Sequence, residues 1–105
     1  MKKFILSLTF MFALLFSFIF VSAATYTYVS DNATYSYNSS NYATAVLSGR
    51  FNDSTDKLSN VSTSKTEVGK VTASFGTINR GTYSASVKVR FYYNGTYKKT
   101  YTLSI

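Results

Sequence analysis

Between Ser84 and Thr102 the chain sets hydroxyls and cations at every second position: Ser84, Ser86, Lys88, Arg90 and Tyr92 in one run, Lys98, Thr100 and Thr102 in the next. Alternate residues of an extended strand share a face, so both runs would present one flat lattice. Lysine and arginine would attract anions, serine and threonine would supply hydrogen bonds, and Tyr92 would offer a stacking surface. Lys88, Arg90, Tyr92, Lys98 and Thr100 are therefore the candidate ligand-binding residues. The plainer reading of the same face is a solvated sheet surface whose cations discourage edge-to-edge association.

Other chemistry finds little material. The chain has no histidine and no cysteine, so the usual base and nucleophile pairs are missing, along with thiolate metal sites. Its four acids are Asp31, Asp53, Asp56 and Glu67, formally enough for a two-carboxylate hydrolase. Asp53 and Asp56 share a polar loop, and loop aspartates mostly serve turns. A non-enzymatic protein without catalytic residues, metal or cofactor is expected. Asn52-Asp53-Ser54-Thr55-Asp56 holds oxygen ligands of the kind calcium takes, but not at the spacing of an established calcium loop; an Asx-type turn suits it better. Asn-X-Ser/Thr acceptors occur at Asn32, Asn38, Asn52, Asn60 and Asn94, and a chain this rich in these residues generates such triplets by chance.

The elements that must carry the lattice are strands. After Ala24 no 3.6-residue apolar period develops; Thr, Tyr, Val and Ser alternate instead. Thr25–Val29 and Ala33–Tyr37 read as short strands separated by Ser30-Asp31-Asn32. Tyr42–Phe51 follows, with Ala43, Ala45, Leu47 and Phe51 on one face. Asn52–Asn60 reads as the longest loop and Val61–Thr66 as a short edge strand. Val71, Ala73, Phe75 and Thr77 then share a face, as do Tyr83, Ala85, Val87, Val89, Phe91 and Tyr93, and finally Tyr97, Tyr101, Leu103 and Ile105. This predicts a three-stranded antiparallel meander over Val71–Ile105 with one wet face.

Asn94-Gly95 alone suggests a two-residue turn, but uninterrupted pairing from it would set Phe91 against Lys98 and mix core with solvent. A three-residue loop, Tyr93-Asn94-Gly95, restores the phase by placing Phe91 opposite Tyr97 and Val87 opposite Tyr101. The same device at Asn79-Arg80-Gly81 pairs Phe75 with Ala85. The earlier strands are the available cover for the apolar face, so the fold expected is all-β. It is a small antiparallel β-sandwich, immunoglobulin-like, of six to seven short strands, with a small β-barrel as the alternative.

Composition supplies the setting. Lys2 and Lys3, an apolar run from Phe4 to Val21 and the small exit Val21-Ser22-Ala23 have the layout of a secretory signal peptide, with cleavage expected after Ala23 or Ala24. The run is also long enough for an uncleaved anchor, though Ser7, Thr9 and Ser17 dilute it. Residues 1–23 are thus assigned as a signal helix and 24–105 as a single secreted, extracellular domain with no stable membrane span after cleavage. No lipid-attachment cysteine follows the run, so surface retention would be non-covalent. The formal charge is +7 over the whole chain, and without Lys2 and Lys3 it becomes +5. The excess lies late, where Lys65, Lys70, Arg80, Lys88, Arg90, Lys98 and Lys99 face only Glu67. Such asymmetry favours an anionic partner: a wall polymer, an acidic polysaccharide or an envelope surface. Nucleic acid fits the charge but not the compartment.

With its Met-Lys-Lys start and its tyrosine- and serine-rich strands, the chain resembles small secreted β-sandwich proteins of Gram-positive bacteria. Phe91-Tyr92-Tyr93-Asn94 is similar to the C-terminal region of lactococcin-972-like bacteriocins, over four residues and without that family's tryptophans. The leading expectation is a surface-associated module binding an anionic wall or glycan ligand. A bacteriocin-like antimicrobial protein and a self-assembling matrix protein are the alternatives, the last because long proline-free strands leave edges open to pairing.

Overall fold

A computed structural model describes residues 24–105; the expected signal segment, residues 1–23, lies outside the described residues. The strands are β1 (Tyr26–Asn38), β2 (Asn41–Asn52), β3 (Leu58–Val68), β4 (Val71–Phe75), β5 (Asn79–Arg80), β6 (Ala85–Tyr93) and β7 (Thr96–Ser104). β1-β2-β3 form one antiparallel sheet. In the second, β6 has β7 on one side and β4 and β5, end to end, on the other. The all-β sandwich read from the alternation is the fold observed, with two open sheets and no closed barrel. The first three strands build one sheet and the rest build the other, so the chain crosses between them once, at Gly69-Lys70. Its wiring is one meander stacked on another, without the Greek-key crossings of an immunoglobulin domain.

The core is shared unequally. β2 contributes Ala43, Ala45 and Leu47, and β6 contributes Val87, Val89 and Phe91, all at most 1% exposed. The small alanines leave room for Phe91, whose ring stacks on Tyr35 from the first sheet (centroids 6.1 Å apart) and meets Tyr101 of β7 edge-on at 5.7 Å. Burying one such large apolar side chain is worth about 1.5–3 kcal/mol. No polar or charged residue is buried among the described residues.

Three expected boundaries change. β1 is one strand: Ser30, Asp31 and Asn32 stay in the ladder opposite Ser48, Leu47 and Val46, because cross-strand pairing outweighs their turn preference. β3 is longer than expected, and the loop before it shrinks to residues 53–57. There Asn52 Oδ1 accepts from the Ser54 and Thr55 amides, and Asp56 adopts φ 61°. The third change is in the meander. It joins the predicted strands, but by other devices. Asn94 and Gly95, at φ 50° and 82°, form a two-residue turn with Tyr93 opposite Thr96, the positive-φ pair that a type I′ hairpin requires. The phase is restored further on, where Lys98 is the extra residue of a β-bulge and Phe91 comes to face Lys99. Tyr97 therefore leaves the inner face and is 54% exposed. On the other flank Phe75 faces Val89 rather than Ala85. The tight connection lies at residues 81–84, so Tyr83 is 59% exposed instead of continuing the apolar row.

The sandwich edges are joined by side chains. Lys65 and Glu67 lie opposite Ala45 and Ala43, so these two charges of edge strand β3 point inward. Lys65 Nζ donates to the Ala73 carbonyl at 2.8 Å, and the Ala73 amide donates to Glu67 Oε2 at 2.8 Å. The pair, 3.1 Å apart, offers β4 the donor and acceptor that a neighbouring strand would supply. Lower down, the Leu58 amide donates to the Thr82 carbonyl at 2.8 Å and Arg80 donates to the Leu58 carbonyl. Across the molecule, the Ser104 amide donates to Asp31 Oδ2 at 2.9 Å.

Candidate ligand-binding face

Register places the candidate residues in ranks across the outer face of the second sheet. Thr72, Tyr92 and Tyr97 form one rank; Ser74, Arg90 and Thr100 the next; then come Lys88 with Thr102, and Asn79, Ser86 and Ser104. Successive ranks are about 7 Å apart and neighbouring strands about 4.8 Å. Lys88, Arg90, Tyr92 and Thr100 thus share one surface, as expected. Lys98 does not join it as a member of a rank, because it is the bulged residue. Tyr97 stands there instead, with its ring 6.0 Å from that of Tyr92 at 71° and its hydroxyl 2.8 Å from Thr100 Oγ1.

The third rank lacks a β4 partner, since the ladder breaks between Phe75 and Asn79. The Gly76 amide still donates to the Lys88 carbonyl at 2.8 Å, while the gap opens a hollow of about 380 Å³. Gly76, Thr77, Asn79, Ser86, Lys88, Arg90 and Thr102 are among its lining residues. Gly76, Thr77 and Asn79 were not legible as site residues, because the hollow arises from a break in pairing that no local pattern announces. Tyr97 follows from the Asn94-Gly95 signature once the phase is corrected beyond the turn, at the Lys98 bulge.

Electrostatics set this face apart. The four acids lie elsewhere, on the inner side of β1 and β3 and in the loop after β2. Among the described residues neither Lys88 nor Arg90 is paired with a carboxylate or an aromatic ring, and both are exposed, so their charge faces solvent. The outer face of the first sheet is different. Arg50 lies 4.0 Å from the Tyr26 ring centroid and donates to Ser59 Oγ, and the hydroxyls of Thr34 and Thr44 bond each other at 2.8 Å. There the cation Arg50 is engaged by neighbouring side chains, whereas Lys88 and Arg90 stand in solvent, open to an incoming anion.

The calcium possibility also meets geometry. Asn52 Oδ1 is committed to backbone amides and Asp53 Oδ1 accepts from Thr27 Oγ1 at 2.7 Å. Among the described residues no three acidic, histidine or cysteine side chains converge, and no helix is long and apolar enough to cross a membrane. No protein-family model matches the chain, and neither a curated protein nor a solved structure is significantly similar to it.

Proposed function

We propose that this is a non-enzymatic, secreted or surface-associated binding module whose second sheet engages an anionic wall polymer or polysaccharide. The observation that carries the reading is the carboxylate-free face on which Lys88 and Arg90 stand one rank apart beside a hydroxyl-lined hollow. Two cations about 7 Å apart along a strand suit a chain bearing phosphate or carboxylate groups at a similar repeat. Arg90 can grip such a group bidentately, Lys88 acts as a point charge, and Asn79, Ser86, Thr100 and Thr102 supply neutral hydrogen bonds. Tyr92 and Tyr97 give a sugar ring an aromatic wall. Contacts of this kind are exposed and individually weak, so affinity comes from several along one polymer.

The test is retention of residues 24–105 on purified cell walls, with and without their anionic polymers. K88E/R90E is expected to weaken retention by at least about tenfold, and raising salt from about 0.05 to 0.5 M should do the same, since screening shortens below the rank spacing. K57E/K70E carries the same charge change away from the ranks and should retain most binding. Equal losses for both double variants would reduce the effect to net charge and sink the site.

A further inference from the structure

We propose that β1 is a self-pairing edge through which two copies of this chain form a continuous six-stranded sheet, in the order β3-β2-β1-β1-β2-β3. The inference starts from an imbalance between the edges. On one side of the sandwich β3 and β4 are joined by Lys65, Glu67, Arg80 and the Thr82 carbonyl. On the other, β7 carries the Lys98 bulge and Lys99, two features that discourage pairing. β1 has neither. Among the described residues it is the longest strand, with 13 residues, it contains no proline, lysine or arginine, and its backbone ladder runs to β2 alone. Its single charge, Asp31, already accepts from Ser104 of the other sheet. A long, nearly uncharged edge, regular from Tyr26 to Ser36, displays unpaired amides and carbonyls that another extended strand can satisfy.

The strand's own sequence specifies the occupant. Folded antiparallel on itself about Asn32, β1 keeps every inner residue on the inner face. Tyr35 then meets Val29 of the second copy, and Ala33 meets Asp31 of the second copy. Outside, Thr34 meets Ser30, Ser36 meets Tyr28, and Asn32 lies opposite Asn32 across the two-fold axis. Half-buried Tyr35 and Val29 would gain apolar cover at the seam, hydroxyls would face hydroxyls, and the regular stretch from Tyr28 to Ser36 would be in register with its copy. Such an interface is isologous and closes on itself. It lies on the sheet opposite Lys88 and Arg90, and it does not depend on what that face binds.

Sedimentation of residues 24–105 over a concentration series tests the proposal, together with a cross-link. The chain has no cysteine, so Asn32→Cys would introduce a thiol at the axis, where paired strands bring Cβ atoms to about 4–5 Å. A reversible dimer is expected, with Asn32→Cys oxidising to a covalent dimer at least about tenfold faster than Ser64→Cys on β3. S30K/N32K should remain monomeric while keeping the far-ultraviolet spectrum of the parent. A wild-type monomer at about 0.1 mM, equal cross-linking of the two cysteine variants, or open-ended fibres in place of a dimer would each overturn it. K88E/R90E should dimerise normally, which separates this outcome from failure of the ligand reading.

Discussion

Gly69 and Gly95 have similar backbone conformations, with φ of 72° and 82°, yet they stand in different surroundings. A methyl group at Gly95 would meet nothing within 4 Å, whereas at Gly69 it would run into the Ser40 carbonyl and the Asn41 carboxamide. Gly95→Ala is therefore expected to lose only the left-handed penalty, about 1–2 kcal/mol. Gly69→Ala should lose clearly more, since the backbone carbonyl cannot step aside. Urea midpoints of the two variants check the order; equal losses would mean that the corner at Gly69 relaxes freely. The contrast also marks what a reader of the sequence can see. Asn94-Gly95 announces a turn by itself, because its requirement is local. Gly69 announces nothing, because the crowding comes from a distant hairpin whose Asn41 also accepts from the Lys70 amide at 2.8 Å.

At the scale of strands, the inward Lys65–Glu67 pair ties stability to pH. The Ala73 amide donating to Glu67, followed by the Lys65 ammonium, holds the Glu67 carboxyl below its ordinary value of 4.5. A carboxyl whose folded value is depressed stabilises the fold above its unfolded value, and that contribution disappears as pH falls through the folded one. The advantage of wild type over Glu67→Gln should thus be full at pH 7, begin to shrink near the ordinary carboxylate range and vanish in more acid solution. Both side chains are partly exposed, 43% and 31%, so the advantage should be under about 1 kcal/mol. Paired urea titrations at neutral and acid pH measure it, and a pH-independent difference would assign the role of Glu67 to packing.

The strands also show why a face is easier to read than a partner. Alternation decided that Phe91, Val89 and Val87 point inward, and it survives any even shift of register. Phe91 opposite Tyr97 and Phe91 opposite Lys99 satisfy it equally, and only the bulge at Lys98 distinguishes them. In β1 the turn-like Ser30-Asp31-Asn32 misled for a related reason, since three residues of local preference compete with a ladder that spans the whole strand. Lys88, Arg90, Tyr92 and Thr100 were legible as one surface because their placement needs parity alone. The hollow beside them needed the break between β4 and β5.

For the molecule as a whole, the single crossing at Gly69-Lys70 divides the chain into two complete sheets. One has a small-residue inner face, with Ala33, Ala43 and Ala45, and the other a bulkier one, with Val87, Val89 and Phe91. Neither half borrows a strand from the other, and the contacts between them come from side chains and loops. A backbone cut between residues 69 and 70 should therefore leave every ladder whole. Two peptides, 24–69 and 70–105, are expected to lack cooperative unfolding separately, since each would expose the apolar face of a lone open sheet to water. Mixed in equal amounts they should recover the tyrosine circular dichroism of the intact chain, and failure to do so would mean that the covalent corner itself aligns the sheets. The turn that looks like a mere connection is then the seam of a natural split protein, at which the fold can be taken apart and reassembled.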